Sequence, residues 1–163
     1  MARRRLRVAL DANVLVAGVR LPRWPYEVLR AAMGGQFDVV LPRQVIDEAR
    51  RHLDPARTAA LEYFLGNCKH EEPPLPPADA VERQLDLVRS RKDVPIALAL
   101  LVSEADIFVS NDRDFTEADA TAERFRVRVR VMLPAVFLRE VCGWSSEELE
   151  AVRSRGWEEL GRG

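Results

Sequence analysis

Leu6-Arg7-Val8-Ala9-Leu10-Asp11-Ala12-Asn13-Val14-Leu15-Val16-Ala17-Gly18-Val19 is the stretch on which the fold turns. Residues 6–10 and 14–19 are apolar and rich in branched side chains, interrupted by the polar pair Asp11 and Asn13. Such a run predicts a first strand buried on both faces and ending near Asp11. If the strand continued, Asn13 would face the same side as Asp11. An unpaired carboxylate buried there costs several kcal/mol, so Asp11 needs a partner or a function. Asn13 is close enough in sequence to hold it by a hydrogen bond.

Outward from that stretch, strand-like and helix-like segments alternate. Pro22 and Pro25 break the chain, and Tyr26 to Met33 has helical spacing, stopped by Gly34-Gly35. Phe37 to Leu41 reads as a second strand, and Pro42 opens a helix to Leu53 with Val45, Ile46, Ala49 and Leu53 as its inner stripe. Pro55 to Leu65 and Ala78 to Arg89 have helical character, joined through the stiff connector Pro73-Pro74-Leu75-Pro76-Pro77. Asp93 stands at an N-cap position for a helix over Val94 to Glu104. Ile107-Phe108-Val109 predicts a third buried strand closed by Ser110-Asn111-Asp112, and Val127, Val129 and Val131 alternate with Arg126, Arg128 and Arg130 as a period-two strand. Ser145 to Leu160 reads as an amphipathic helix. This alternation points to an α/β fold whose mainly parallel sheet is covered on both faces.

In such a sheet, ligands bind beyond the carboxyl ends of the strands, near the point where strand order reverses. Asp11 ends the first strand, Asp112 follows the third, Asp93 begins the helix leading into the third, and Glu48 lies beside the core stripe of its helix. Asp47 adjoins Glu48, and helix phase leaves open which of the two points inward. Singly, these acids have ordinary explanations: a cap for Asp93, a solvated helix acid for Glu48, a turn for Asp112 and Asp114. Together they would repel by about 4 kcal/mol per pair at ~4 Å and an effective dielectric of about 20. Oxygen ligands without cysteine or histidine select Mg²⁺ or Mn²⁺ over zinc. Bound metal in turn neutralises phosphate and activates water.

Composition narrows the alternatives. The chain of 163 residues suits one domain, and a net charge of -1 gives no global attraction for nucleic acid. Cys68 and Cys142 stand alone and His52 and His70 are the only histidines, against a zinc site, a disulfide scaffold or a cysteine protease. Arg3-Arg4-Arg5 before the apolar run superficially resembles a signal peptide, but Asp11 and Asn13 interrupt it and no cleavage site follows. Val94 to Val102 is too short to span a bilayer, and a cytoplasmic protein without membrane attachment is expected. A haloacid-dehalogenase-like phosphatase would need a second acid at Asn13. A receiver domain would need a lysine near the acids, where only Lys92 is available.

The order of these segments resembles the PIN-domain family, in particular its VapC-type toxin-like ribonucleases. Val8 to Leu15 resembles the opening Asp-x-Asn strand, Leu41 to Leu53 the helix carrying an acid, and Arg91 to Ala99 the acid before an alanine-rich helix. Ala105 to Phe115 resembles the strand ending in Thr/Ser-x-Asp-x-Asp-Phe, and Leu133 to Leu138 the closing Pro-x-x-Phe-Leu segment. The resemblance spans roughly residues 6 to 138. Asn111 departs from it, taking a place commonly held by glycine.

The resemblance implies a three-layer α/β/α sandwich with a mainly parallel sheet of about five strands. It makes residues 1–141 the PIN domain and leaves 142–163 as a C-terminal amphipathic helix packed on the domain or on a partner. Carried over, Asp11, Glu48, Asp93 and Asp112 form the catalytic and metal-binding quartet; Asn13, Ser110 and Asp114 support it. A Mg²⁺- or Mn²⁺-dependent endoribonuclease acting on RNA is implied, as a homodimer and as the toxin of a toxin–antitoxin pair. The alternative is a PIN fold without activity that binds RNA or protein. The four acids favour the enzyme, since a scaffold has no use for mutually repelling charges.

Arg113 lies between two of the acids, and Arg126, Arg128 and Arg130 would share one strand face; both are candidate RNA contacts. The ordinary explanation for the second group is an edge strand protected by charge. Trp24 and Tyr26 could stack on bases or pack at a core or dimer face, and Trp144, Leu149 and Trp157 suggest that the tail docks.

Overall fold

The computed structural model describes residues 4–161; Arg3 of the basic start and the last two residues of the tail lie outside the described residues. In chain order, β1 (Arg7–Leu10), α1 (Ala12–Arg20), α2 (Trp24–Met33), β2 (Asp38–Val40), α3 (Arg43–Arg51), α4 (Pro55–Asn67) and β3 (His70–Glu71) form the first part. After α5 (Ala78–Glu82) and a 3₁₀ turn (Arg91–Asp93) come α6 (Val94–Val102), β4 (Ile107–Val109), α7 (Arg113–Thr116) and α8 (Glu123–Arg126). The chain closes with β5 (Arg130–Met132), α9 (Pro134–Glu140), α10 (Ser146–Val152) and α11 (Trp157–Leu160).

The five strands form one sheet in the order β3-β2-β1-β4-β5. Every pairing is parallel, with Val8 opposite Val39 on one side and Ile107 on the other. Helices cover both faces, completing the three-layer α/β/α sandwich expected from the sequence. Parallel strands buried on both faces need continuous apolar runs. Val8, Ala9, Leu10, Phe108 and Val109 accordingly have no exposed surface. From β1 the chain builds outward to β2 and β3, then returns to place β4 on the other side of β1. The reversal therefore lies between β1 and β4, and their carboxyl ends flank the crevice where such sheets bind ligands.

Several expectations are corrected. The first strand stops at Leu10, and residues 14–19 belong to α1. The Asp11 side chain accepts a hydrogen bond from Ala12 N and caps the helix, while Ala12, Val14, Leu15 and Gly18 turn inward at helical spacing. Packing of this stripe overrides the strand preference of the valines. The edge strand β3 carries no apolar run; it exists because Val39 and Val40 offer backbone partners to His70 and Glu71.

The helix expected over Ala78 to Arg89 ends at Glu82. Farther on, Arg89 N donates to Ala120 O and Ala122 N to Leu87 O, and Val88 bridges Thr121. Pairing with that segment replaces the last helical turns. The alternating Arg/Val segment is likewise not one strand. Phe125, wholly buried, anchors α8, and the amides of Arg128 and Val129 bond back to its carbonyl, so the extended chain begins only at Arg130.

Gly18 marks the tightest helix contact. A Cβ there would lie 2.5 Å from Leu29 Cδ1 and 3.2 Å from Pro25 O. Leu29 is buried on α2 and has little room to yield. Gly18→Ala is expected to destabilise the protein by about 1–3 kcal/mol through overpacking, despite alanine's better helix propensity. Urea unfolding checks this; an unchanged or raised midpoint would show that α1 and α2 can separate freely.

The tail folds back on α1 and α2. Trp24 Nε1 donates to Leu149 O at 2.9 Å, and Trp157 Nε1 to Arg20 O at 2.9 Å. Arg155 pairs with buried Glu27 at 2.8 Å and donates to Pro22 O at 2.7 Å. Tyr26 meets Trp157 edge to face with centroids 5.3 Å apart. Trp24 and Tyr26 thus hold the tail. Among the described residues, no helix is long and apolar enough to cross a membrane.

Candidate metal centre

The chain leaves β1 and β4 at the reversal and places Asp11 and Ser110 side by side. Asp11 N donates to Val109 O, so the backbone ladder continues to the last position before the helix. Ser110 Oγ donates to Asp11 Oδ2 at 2.7 Å and accepts Asp112 N at 2.9 Å. Asn13, on the first turn of α1, donates to Asp11 Oδ2 at 3.2 Å and accepts Asn111 N at 3.1 Å. Asp112 Oδ1 accepts Asp114 N at 2.8 Å, capping the short α7. Asn13 and Ser110 therefore tie the two strand ends together and orient Asp11.

Asp93 arrives from a different direction. It closes the 3₁₀ turn and precedes α6, but its side chain makes no capping bond. Asp93 thus holds the N-cap position expected for it but does not cap the helix through its side chain. Pro95, in the first turn of α6, has no N–H to be capped. The carboxylate points elsewhere: Asp93 is 5% exposed and its Oδ2 has no hydrogen-bond partner among the described residues. A buried carboxylate oxygen left unpaired is costly, and structures seldom retain one without a reason.

A cavity of about 300 Å³ is lined by Asp11, Ala12, Asn13, Val16, Arg20, Glu48, His52, Asp93 and Asp112. Four acids far apart in the chain thus share one hollow. Glu48 lines it from α3, whereas Asp47 faces Arg50 at 3.8 Å on the half-exposed side of that helix. One carboxylate oxygen from each of Asp93, Asp112 and Asp114 lies within 4.8 Å of the others. Asp114 is thus drawn closer than its supporting position in the sequence suggests. It is also gripped by Arg89, whose Nη2 donates to Oδ1 at 2.9 Å and whose Nη1 reaches Glu117 at 2.8 Å.

The electrostatics agree with the geometry. Burial pushes the Asp11 carboxyl up from 3.8 to about 6; bonds from Ser110 and Ala12 oppose this, and Asp93 and Asp112 add to it. Burial, followed by the charge of Asp112, pushes Asp93 up to about 6 as well. The converging donors are hard carboxylate oxygens, one without a partner, and they could hold a divalent cation. Neither cysteine lines the cavity, and burial pushes the Cys68 thiol up to about 11, away from soft-metal binding.

The arginines singled out in the sequence lie elsewhere. Arg126 donates to Ala118 O and Thr121 O, and Arg130 pairs with Glu140 at 2.7 Å. Arg128 lines a separate hollow with Asp106, at the amino end of β4. Arg113 is exposed on α7 and does not line the acidic cavity. The basic residues that do line it, Arg20 and His52, were not among the expected site residues. The signal for His52 is its spacing of four from Glu48, already visible in the helix expected to Leu53; that for Arg20 is helical spacing from Asn13, hidden while residues 14–19 are read as strand.

No family model matches the sequence, and no curated protein matches it. Solved structures do. PAE2754 from Pyrobaculum aerophilum is 17% identical, with 85% of this chain and 97% of that chain covered and a TM-score of 0.53. VapBC2 from Rickettsia felis, bound to a DNA fragment from its promoter, is 14% identical, with 78% and 99% covered and a TM-score of 0.53. At these identities the likeness speaks for the fold, and it supports a PIN-like arrangement.

Proposed function

We propose that the protein is a divalent-metal-dependent endoribonuclease of the VapC-like kind, the toxin of a toxin–antitoxin pair. The observation that carries this reading is Asp93, whose buried Oδ2 has no partner among the described residues and which lines one hollow with Asp11, Glu48 and Asp112. Carboxylates that mutually raise their proton affinity are an expensive feature for a scaffold and a useful one for holding a cation.

Asp11, Glu48, Asp93 and Asp112 would surround the ion, with Asp114 at the margin. When bound, the ion supplies charge neutralisation for the phosphate and lowers the proton affinity of water. The protein's own part is orientation. Ser110 and Asn13 aim Asp11 by donating to its Oδ2, and the Ser110 bond opposes the rise that burial imposes on its carboxyl. Glu48, on α3, would hold the ion or its water. An attacking water's oxygen would bond to phosphorus while the bond to the 3′-oxygen breaks, the proton lost by the water being matched by one gained at the 3′-oxygen, leaving a 5′-phosphate and a 3′-hydroxyl. The toxin assignment is supported by the fold likeness to VapBC2, and an antitoxin protein is the partner it entails.

Incubation with total RNA tests the reading. Cutting with 5′-phosphate ends is expected in Mn²⁺ and none after chelation. RNA left intact in saturating Mn²⁺ would overturn it in favour of a binding module without activity.

A further inference from the structure

The acidic cavity has a second, basic end. Arg20 and His52 are the basic residues that line it, and they stand on the same two helices as the inner residues. On α1, Asn13, Val16 and Arg20 follow one another along one face; beside α3, His52 follows Glu48 by one helical turn. Arg20 lies about 10 Å along α1 from Asn13, at 1.5 Å rise per residue. The groove between α1 and α3 therefore runs from carboxylates at the sheet to a guanidinium and an imidazole at its outer end.

Arg20 is held in place there. Its Nη2 donates to His52 O at 2.7 Å, and its own carbonyl accepts Trp157 Nε1 at 2.9 Å. A guanidinium has five N–H donors, and the bond to His52 uses one. The nearby carboxylate of Asp54 is already engaged by Arg57, through its backbone N at 2.8 Å and its Nη1 at 2.6 Å. Arg20 thus retains donors in a fork suited to phosphate oxygens.

We infer that Arg20 and His52 form an anion subsite that takes the RNA phosphodiester flanking the one held at the acids. The inference rests on the ribonuclease reading. A strand seated at the carboxylates continues as a polyanion, and along this groove it meets the Arg20 guanidinium and the His52 imidazole at the far end. Arg126, Arg128 and Arg130, which bind backbone carbonyls, pair with Glu140 or lie at the other end of the sheet, do not line that path.

The test uses a labelled single-stranded RNA and the full chain in Mn²⁺, on an Asp11→Asn background so that binding is read without cutting. Adding Arg20→Gln is expected to weaken binding about tenfold, as for loss of one charge-assisted contact. It should also reduce the slope of log affinity against log salt by about 0.7, the value for one phosphate on a single strand. Arg20→Lys should restore the slope and only part of the affinity. Placing an uncharged methylphosphonate at the flanking linkage should abolish the difference between Arg20 and Gln. Equal affinity and equal slope for the Arg20 and Gln forms would overturn the subsite. Cutting by the parent protein is scored separately. A parent that cuts RNA while the slopes agree loses only the subsite. A parent that fails to cut while the slopes differ loses the hydrolase and keeps the anion site.

Discussion

Asp11→Asn is expected to lower RNA cleavage by about a thousandfold while leaving the folded protein at least as stable at neutral pH. The activity loss follows from charge. Transition-state stabilisation by a bound cation is worth several kcal/mol, and about 4 kcal/mol corresponds to a thousandfold. Asparagine keeps the size of the side chain and the acceptor for Ala12 N but removes one of the negative charges that hold the cation. The stability argument runs the other way. The rise of Asp11 from 3.8 to about 6 is a penalty of about 3 kcal/mol on the ionised form. Asparagine removes that penalty and costs one mismatched hydrogen bond to Ser110 or Asn13, about 1–3 kcal/mol. Cleavage kinetics and thermal melting, measured on one preparation, check both halves. A mutant that cuts as fast as the parent would remove Asp11 from the chemistry.

The second large effect is a loss of stability as pH rises, reversed by metal. Asp11 and Asp93 both have native affinities for protons above their unfolded values. The native state therefore binds protons more tightly, and the stability this contributes is full below pH ~4 and lost as pH rises through about 6. Asp54, Glu62, Asp86 and Glu148 are shifted down by arginine contacts or helix caps, so their contributions have the opposite sign and are complete by about pH 5. Between pH 5 and 7.5 the raised pair contributes a change of about 1.4 kcal/mol for each group. For a chain of this size, the two together lower the melting temperature of metal-free protein by about 8 °C. Saturating Mn²⁺ binds the ionised carboxylates and should restore the loss at pH 7.5 by linkage. A melting temperature that is flat from pH 5 to 7.5 in chelator, or indifferent to Mn²⁺, would contradict the geometry of the four acids.

Much of the fold was legible in the chain because burial on both sides of a parallel sheet demands uninterrupted apolar runs. Val8 to Leu10, Val39 to Leu41 and Ile107 to Val109 announce themselves in this way. The acid at Asp11 was legible for the converse reason, since a carboxylate directly after such a strand has few inexpensive explanations; Asp112, three residues beyond its strand, was legible from its place in the order of segments. Periodicity failed where a partner decided the outcome. Residues 14–19 have the composition of a strand and the packing of a helix, and β3 has no apolar run at all. The Arg126 to Val131 alternation is cut short by one buried phenylalanine.

By itself, then, the chain determined which strands are buried and which acids follow them, because hydrophobic patterning and the cost of buried charge act through local composition. Only the tertiary structure decided that Glu48 rather than Asp47 enters the hollow, that Asp93 leaves its helix uncapped, that Asp114 joins Asp93 and Asp112, and that Arg20 and His52 complete the wall. Those outcomes depend on helix phase and on how α1, α3 and α6 sit around the ends of β1 and β4. Such relations between distant segments are set by side-chain packing across the sheet, and no single stretch of sequence encodes them.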